Sequence, residues 1–182
     1  MRLLSSILIL GAAAAACAGA DAPGRAASGG GPAPRAERWA DWAARLDAAD
    51  PVDRFVQATA LFLGTPYVDG PLGEGAAGGP DPDPRADLSR VDCVTYLEES
   101  LALALADPAD DASFFRVLDA VRYRDGAVGF AQRNHYMVRD WIPANAWLLT
   151  DVTGEVGGGA VRTVRRTIDR AAFLREQGAE PR

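Results

Sequence analysis

The sequence predicts an α+β domain in which helices come first and short strands follow. Three observations carry this. Apolar residues recur at helical spacing from Trp39 to Val121, strand-like runs separated by turn residues begin only after Asp125-Gly126, and the composition is ordinary for a globular chain, 48% hydrophobic and 24% charged in 182 residues. That length holds one domain and an appendage.

The appendage comes first. Arg2, an apolar run from Leu3 to Leu10 and small residues from Gly11 to Ala16 give the charged, greasy and small order of a secretory signal over 1–17. Ala14-Ala15-Ala16-Cys17 resembles a bacterial lipobox, so Cys17 is expected to carry a lipid and the mature protein to be an exported, membrane-anchored lipoprotein facing the periplasm. Ordinary cleavage after one of the alanines is the other reading. Residues 18–35 are rich in Gly, Ala and Pro and poor in large apolar side chains, which predicts a flexible linker. The domain proper is expected over 36–182.

Trp39, Trp42, Ala43 and Leu46 predict a first helix. A second follows from Asp50 as N-cap, Pro51 at the first helical position, an apolar stripe of Val52, Phe55, Val56, Thr59 and Leu63, and Gly64 as the stop. Gly64 to Arg90 is dominated by Gly, Pro and Asp and predicts a long surface loop. The core helix is expected to begin at Cys93, with Val94, Leu97, Leu101 and Leu105 on one side and Glu98 and Glu99 placed to suit the helix dipole. A fourth helix is predicted over Ser113–Val121. Then the period changes: His135–Trp141 and Trp147–Val152 read as strands joined by a turn at Pro143-Ala144-Asn145, an antiparallel hairpin. A basic alternating stretch, Val161 to Ile168, precedes a last helix from Asp169 to Gln177 that stops at Gly178.

Composition excludes several kinds of chemistry. All 19 basic residues are arginine, so lysine Schiff bases and the lysine of a phosphate-binding Walker loop are ruled out. The net charge of −6 argues against nucleic acid as a partner. With one histidine and two cysteines, a zinc site of several His and Cys ligands is not expected, and no metal or cofactor is called for.

Cys93, directly after Asp92 at a helix start, occupies a place where backbone N–H groups and the helix dipole favour a thiolate, although the Asp92 charge partly opposes them. His135 is the only imidazole available as its base, and the expected hairpin sets Asp151 opposite it as orienting carboxylate. Taken singly, a lone cysteine reads equally as a small buried hydrophobe and a lone histidine as a structural residue.

Leu63-Gly64-Thr65-Pro66-Tyr67-Val68 followed by Arg90-Val91-Asp92-Cys93-Val94-Thr95-Tyr96-Leu97-Glu98 resembles the NlpC-type, papain-like cysteine amidases of bacterial cell walls. Arg122-Tyr123-Arg124-Asp125-Gly126, Arg133-Asn134-His135-Tyr136, Asp140-Trp141-Ile142 and Asp151-Val152-Thr153 narrow the resemblance to their N-acetylmuramoyl-L-alanine amidase-like branch. The resemblance implies a papain-like fold, peptidoglycan fragments as substrate, Cys93 as nucleophile, and Tyr67, Asp92, Arg133 and Tyr136 along the substrate groove. In that family the base histidine lies on a His-Val-Gly strand well after the Asp-Val-Thr motif. No such segment precedes Arg182, so the chain is expected to lack the family's C-terminal part, with His135 substituting. The alternatives are a non-catalytic lipoprotein that binds muropeptides and a fragment of such an enzyme.

Overall fold

The computed structural model describes residues 7–9, 38–110 and 112–179. The expected signal sequence, lipid-bearing Cys17 and linker lie outside these residues, apart from the short strand β1 (Ile7–Ile9). The elements that follow are α1 (Trp39–Ala43), α2 (Pro51–Leu61), α3 (Cys93–Leu105), α4 (Ser113–Arg122), α5 (Ile142–Ala144), β2 (Leu149–Asp151), α6 (Thr153–Gly157) and α7 (Arg170–Glu176). Among the described residues no helix is long and apolar enough to cross a membrane.

Local chemistry explains the long helices. Asp50 caps α2, its Oδ1 accepting from Val52 N at 2.8 Å, with Pro51 at the first position, where its missing N–H costs nothing. Beyond α2 the chain turns at Gly64, whose φ of +87° suits a residue without a Cβ. The buried face of α2 is not quite the expected stripe: Ala58 and Phe62 are buried, whereas Val56 and Leu63 face solvent, Leu63 being 83% exposed. Val52 and Phe55 of that stripe do pack against the core, so the expected face is right on one side and exposed on the other.

The centre of the fold is α3, whose residues Ser100 to Ala104 are all buried. On one side it meets Trp42, Leu46, Ala58, Phe62, Phe114 and Leu118 from α1, α2 and α4. On the other, Leu101 packs with Val121, Trp141 and Leu149. Glu98 and Glu99 were expected to act on the helix dipole. They lie instead inside the protein, 3% and 0% exposed. Glu98 Oε2 accepts from Arg122 Nε at 2.6 Å and its Oε1 from Trp141 Nε1 at 3.0 Å, while Arg122 also donates to the Arg85 carbonyl at 2.6 Å.

The expected antiparallel hairpin does not form. Met137–Trp141 winds into a π-helical turn that runs directly into α5. Met137, Trp141 and Ile142 turn inward together, which helical spacing allows and strand alternation forbids. Pro143 sits in the first turn of α5, and Asn145 Nδ2 closes the segment by donating to the carbonyls of Val121 and Trp141, both at 2.9 Å. The strand within the domain, β2, pairs in parallel with β1, Leu149 beside Ile7 and Asp151 beside Ile9. The last helix matches expectation, with Asp169 capping α7 and Gly178 following it at φ +75°.

The long loop is pinned at both ends. Val68 N donates to Val91 O at 3.0 Å and Val91 N to Pro66 O at 3.1 Å. Further along, the N–H groups of Gly73, Glu74 and Gly75 donate to the carbonyls of Pro84, Asp81 and Asp83. A Cβ on Gly73 would come within 2.4 Å of Asp81 Oδ1, so the two runs approach too closely for any other residue.

Glu99 couples this core to pH. Burial raises its carboxyl from 4.5 to about 8, against a hydrogen bond from the Asp87 N–H that favours the anion. A raised folded value means that stability is fully present below pH 4.5 and is lost as the pH climbs through 8. Glu99→Gln, which keeps an acceptor for Asp87, is therefore expected to remove a fall in unfolding free energy on the order of a few kcal/mol across that window. Urea titrations of both proteins at several pH values check it; parallel curves would contradict it.

Candidate active site

The first turn of α3 is held by a reciprocal cap. Asp92 Oδ1 accepts from the N–H groups of Val94 at 2.9 Å and Thr95 at 2.7 Å, while Thr95 Oγ1 accepts from Asp92 N at 2.8 Å. The second carboxylate oxygen accepts from Gly70 N at 3.2 Å. Asp92 thus ties the long loop to the helix start with both oxygens. Cys93 is the first residue of α3, exposed and in no disulfide. Of the first-turn amides, Asp92 takes those of Val94 and Thr95.

Tyr67 stands beside this helix start, because its backbone bridges to Val91, and it is 65% exposed. Tyr67, Asp92 and Cys93 are therefore brought together. Their assembly follows from the sequence locally: the Gly-Thr-Pro turn after α2 sends an extended strand past Val91, and Asp92 begins the helix.

Arg133, His135 and Tyr136 form a second group. Arg133 Nε donates to Glu74 Oε1 at 2.7 Å and its NH2 to Asp81 Oδ2 at 2.9 Å, fixing this segment to the long loop. The His135 ring lies between Phe130 and Phe173, at centroid distances of 4.5 and 4.9 Å, and Tyr136 meets the same Phe173 edge-on. Its Nε2 is 2.7 Å from the Phe130 carbonyl, an acceptor, which places the hydrogen on Nε2 and the lone pair on Nδ1. Burial is the main force lowering His135 from 6.5 to about 4; Arg133 and Arg170 add to it, while the Phe130 bond and Asp140 oppose it. The imidazole is neutral at pH 7.

Asp151 belongs to neither group. It lies exposed at the end of β2, its Oδ1 accepting from Thr153 N at 2.9 Å, and hydrogen bonding from the Thr153 side chain and then its backbone holds the carboxyl below its usual range. Without the hairpin, nothing brings it opposite His135, and no hydrogen bond joins His135 to Asp151 or to Cys93. Among the described residues no three His, Cys, Asp or Glu side chains converge as metal ligands.

The supports of the second group are not visible in the sequence. Buried Glu74 is the counter-ion of Arg133, and burial raises its carboxyl despite that partner. Phe173 of α7 covers His135. Neither partnership leaves a local signature.

A family model described as AmiA-like, N-acetylmuramoyl-L-alanine amidase-like, matches residues 57–178. A crystal structure of a Legionella pneumophila protein is 34% identical over 69% of this chain and 42% of its own, with a TM-score of 0.60. An N-acetylmuramoyl-L-alanine amidase from Bacteroides uniformis is similar at 29% identity, covering 68% of this chain and 50% of its own, with a TM-score of 0.53. The chain thus spans half or less of the length of these two structures. No curated protein shows significant similarity to it.

An exposed thiol at a helix start is open to reagents without unfolding. Brief treatment of the native protein with iodoacetamide, followed by peptide mapping, is expected to show Cys93 modified while the circular dichroism of the fold is retained. Modification only in denaturant would overturn the placement.

Proposed function

The chain belongs to the N-acetylmuramoyl-L-alanine amidase-like family, and on that premise we propose that it hydrolyses the amide between N-acetylmuramic acid and L-alanine in peptidoglycan fragments, with Cys93 as nucleophile and an NlpC-type, papain-like core. The observation that carries this reading is the exposed thiol on the first residue of the central helix, capped by Asp92 and flanked by Tyr67.

The Cys93 sulfur attacks the amide carbonyl, forming a C–S bond and moving the carbonyl electrons onto oxygen. The positive end of the α3 dipole, at which Cys93 stands, favours that oxyanion. Collapse breaks the C–N bond, the amine leaves with a proton from an imidazolium, and water then cleaves the thioester to regenerate the thiol. His135 is the imidazole of this chain, with Nδ1 as the basic atom; to serve, its ring must leave the Phe130 carbonyl and reach Cys93. Asp151 is its proposed orienting partner under the same rearrangement. Tyr67, Arg133 and Tyr136 are proposed to border the bound fragment, and Asp92 to hold the nucleophile's helix start against the Gly70 loop. The protein is proposed to act outside the cytoplasm, exported by residues 1–17 and anchored through a lipid on Cys17 on the periplasmic side, with no cofactor.

A second reading is a muropeptide-binding lipoprotein without turnover. It is favoured by the aromatic enclosure of His135 and its value of about 4, low for a base working near neutrality.

Purified protein incubated with muropeptides containing N-acetylmuramoyl-L-alanine, with products separated by chromatography and identified by mass, decides between them. Cys93→Ala is expected to abolish turnover and His135→Ala to lower it by about 10²-fold or more. Turnover surviving in Cys93→Ala removes the cysteine mechanism; full activity in His135→Ala removes His135 as base. Binding without turnover in the unaltered protein establishes the second reading. For the anchor, Cys17→Ser is expected to move the protein from the membrane to the soluble fraction of producing cells, and an unchanged distribution would refute lipidation.

A further inference from the structure

A cavity of about 360 Å³ lies beyond the C-terminal end of α4, lined by Arg124, Asn134, Arg139, Asp140, Ala144 and Arg170. Three guanidinium groups here face one carboxylate, in a chain whose overall charge is −6. Asp140 is fully committed: one oxygen accepts from Arg139 at 2.9 Å and the other from Arg170 at 2.6 Å. Arg170 is further fixed by donating to the carbonyls of Ala131 and Arg133, at 2.8 and 3.2 Å. Arg124 has no ion pair among the described residues. The Asn134 side chain lines the cavity while its residue is only 8% exposed, and its Nδ2 has no hydrogen-bond partner.

A buried amide without a partner and an excess of positive charge in one cavity both ask for the same thing, an acceptor carrying negative charge. Planar guanidinium forks suit carboxylate or phosphate oxygens above other acceptors. The geometry points to this cavity as an oxyanion subsite that takes a carboxylate of the substrate's peptide or a phosphate. A shallow hollow that shares Arg124 and Ala144 with it presents the exposed ring of Trp147, an apolar face for the group that carries the anion. Because Arg122 pairs with Glu98, the C-terminal end of α4 lies at the same end of the α3–α4 pair as Cys93. The peptide source of the carboxylate rests on the amidase reading; the subsite itself does not.

The test uses the full chain carrying Cys93→Ala, so that binding is read without hydrolysis. Titration calorimetry is carried out with N-acetylmuramoyl-L-alanyl-D-glutamate, with its analogue in which both glutamate carboxylates are amides, and with inorganic phosphate. The free acid is expected to bind about tenfold or more tightly than the diamide, and Arg124→Ala to weaken the acid by a similar factor. Arg139→Gln is a second variant, lowering affinity in the same direction, and circular dichroism verifies that both fold. Phosphate binding that is lost in Arg124→Ala, with no binding of the acid, supports the subsite with phosphate as its occupant. Equal affinity for acid and diamide, or indifference of both anions to Arg124→Ala, overturns it. Turnover by the unaltered protein is scored separately: binding as expected without turnover sinks the hydrolase and leaves the subsite, while turnover without anion selectivity does the reverse.

Discussion

The buried ion pair between Glu98 and Arg122 is the contact through which the separate parts of this protein meet. Glu98 belongs to the central helix and Arg122 to the last turn of α4, so their bond fixes how the two helices align. The remaining Glu98 oxygen binds Trp141, and Arg122 reaches the Arg85 carbonyl, so one pair also anchors the helical turn at 137–144 and the far end of the long loop. Such a pair gains little over an apolar core of the same shape, but losing one partner leaves the other charged and dry, at a cost of about 3–5 kcal/mol. Arg122 NH2 and Glu99 Oε2 remain without partners beside it, so polarity in this core has already been taken close to what burial tolerates.

Both site groups depend on this alignment for their position and on local caps for their shape. The thiol is displayed because Asp92 ends the extended run at Val91 and starts α3 in one residue. The histidine is enclosed because α7 returns to lay Phe173 over it, with Arg170 of the same helix fastened to Asp140 and to two backbone carbonyls. The two groups thus differ in character: the thiol is exposed at a capped helix start, while the partly buried imidazole sits between aromatic rings with Arg133 and Arg170 close by.

What could be read from the sequence was what is decided within a few residues. Asp50-Pro51 and Asp92-Cys93 announce the starts of α2 and α3, and Gly64 and Gly178 the turns that follow α2 and α7, because capping is local chemistry. The segment from His135 to Trp141 misled, since the short apolar run Tyr136-Met137-Val138 has no clear period of its own, and contact of Met137 and Trp141 with the core favours the helical turn. The antiparallel hairpin fell with it, and so did the expected apposition of Asp151 and His135. Partnerships such as Arg122 with Glu98, Trp141 with Glu98 and Arg133 with Glu74, separated by 24, 43 and 59 residues, carry no sequence mark at all.

Backbone bonds from Gly73, Glu74 and Gly75 to Pro84, Asp81 and Asp83 tie the two arms of the long loop together, and Gly78 folds back to donate to the Gly75 carbonyl at 2.7 Å. Ala76 and Ala77 between the arms are exposed, while Glu74 is buried against Arg133. A residue gained in either arm would unseat Glu74 from Arg133 and Gly73 from its close approach to Asp81. Side-chain change at the exposed Ala76 and Ala77 would therefore disturb this loop far less than a change in its length.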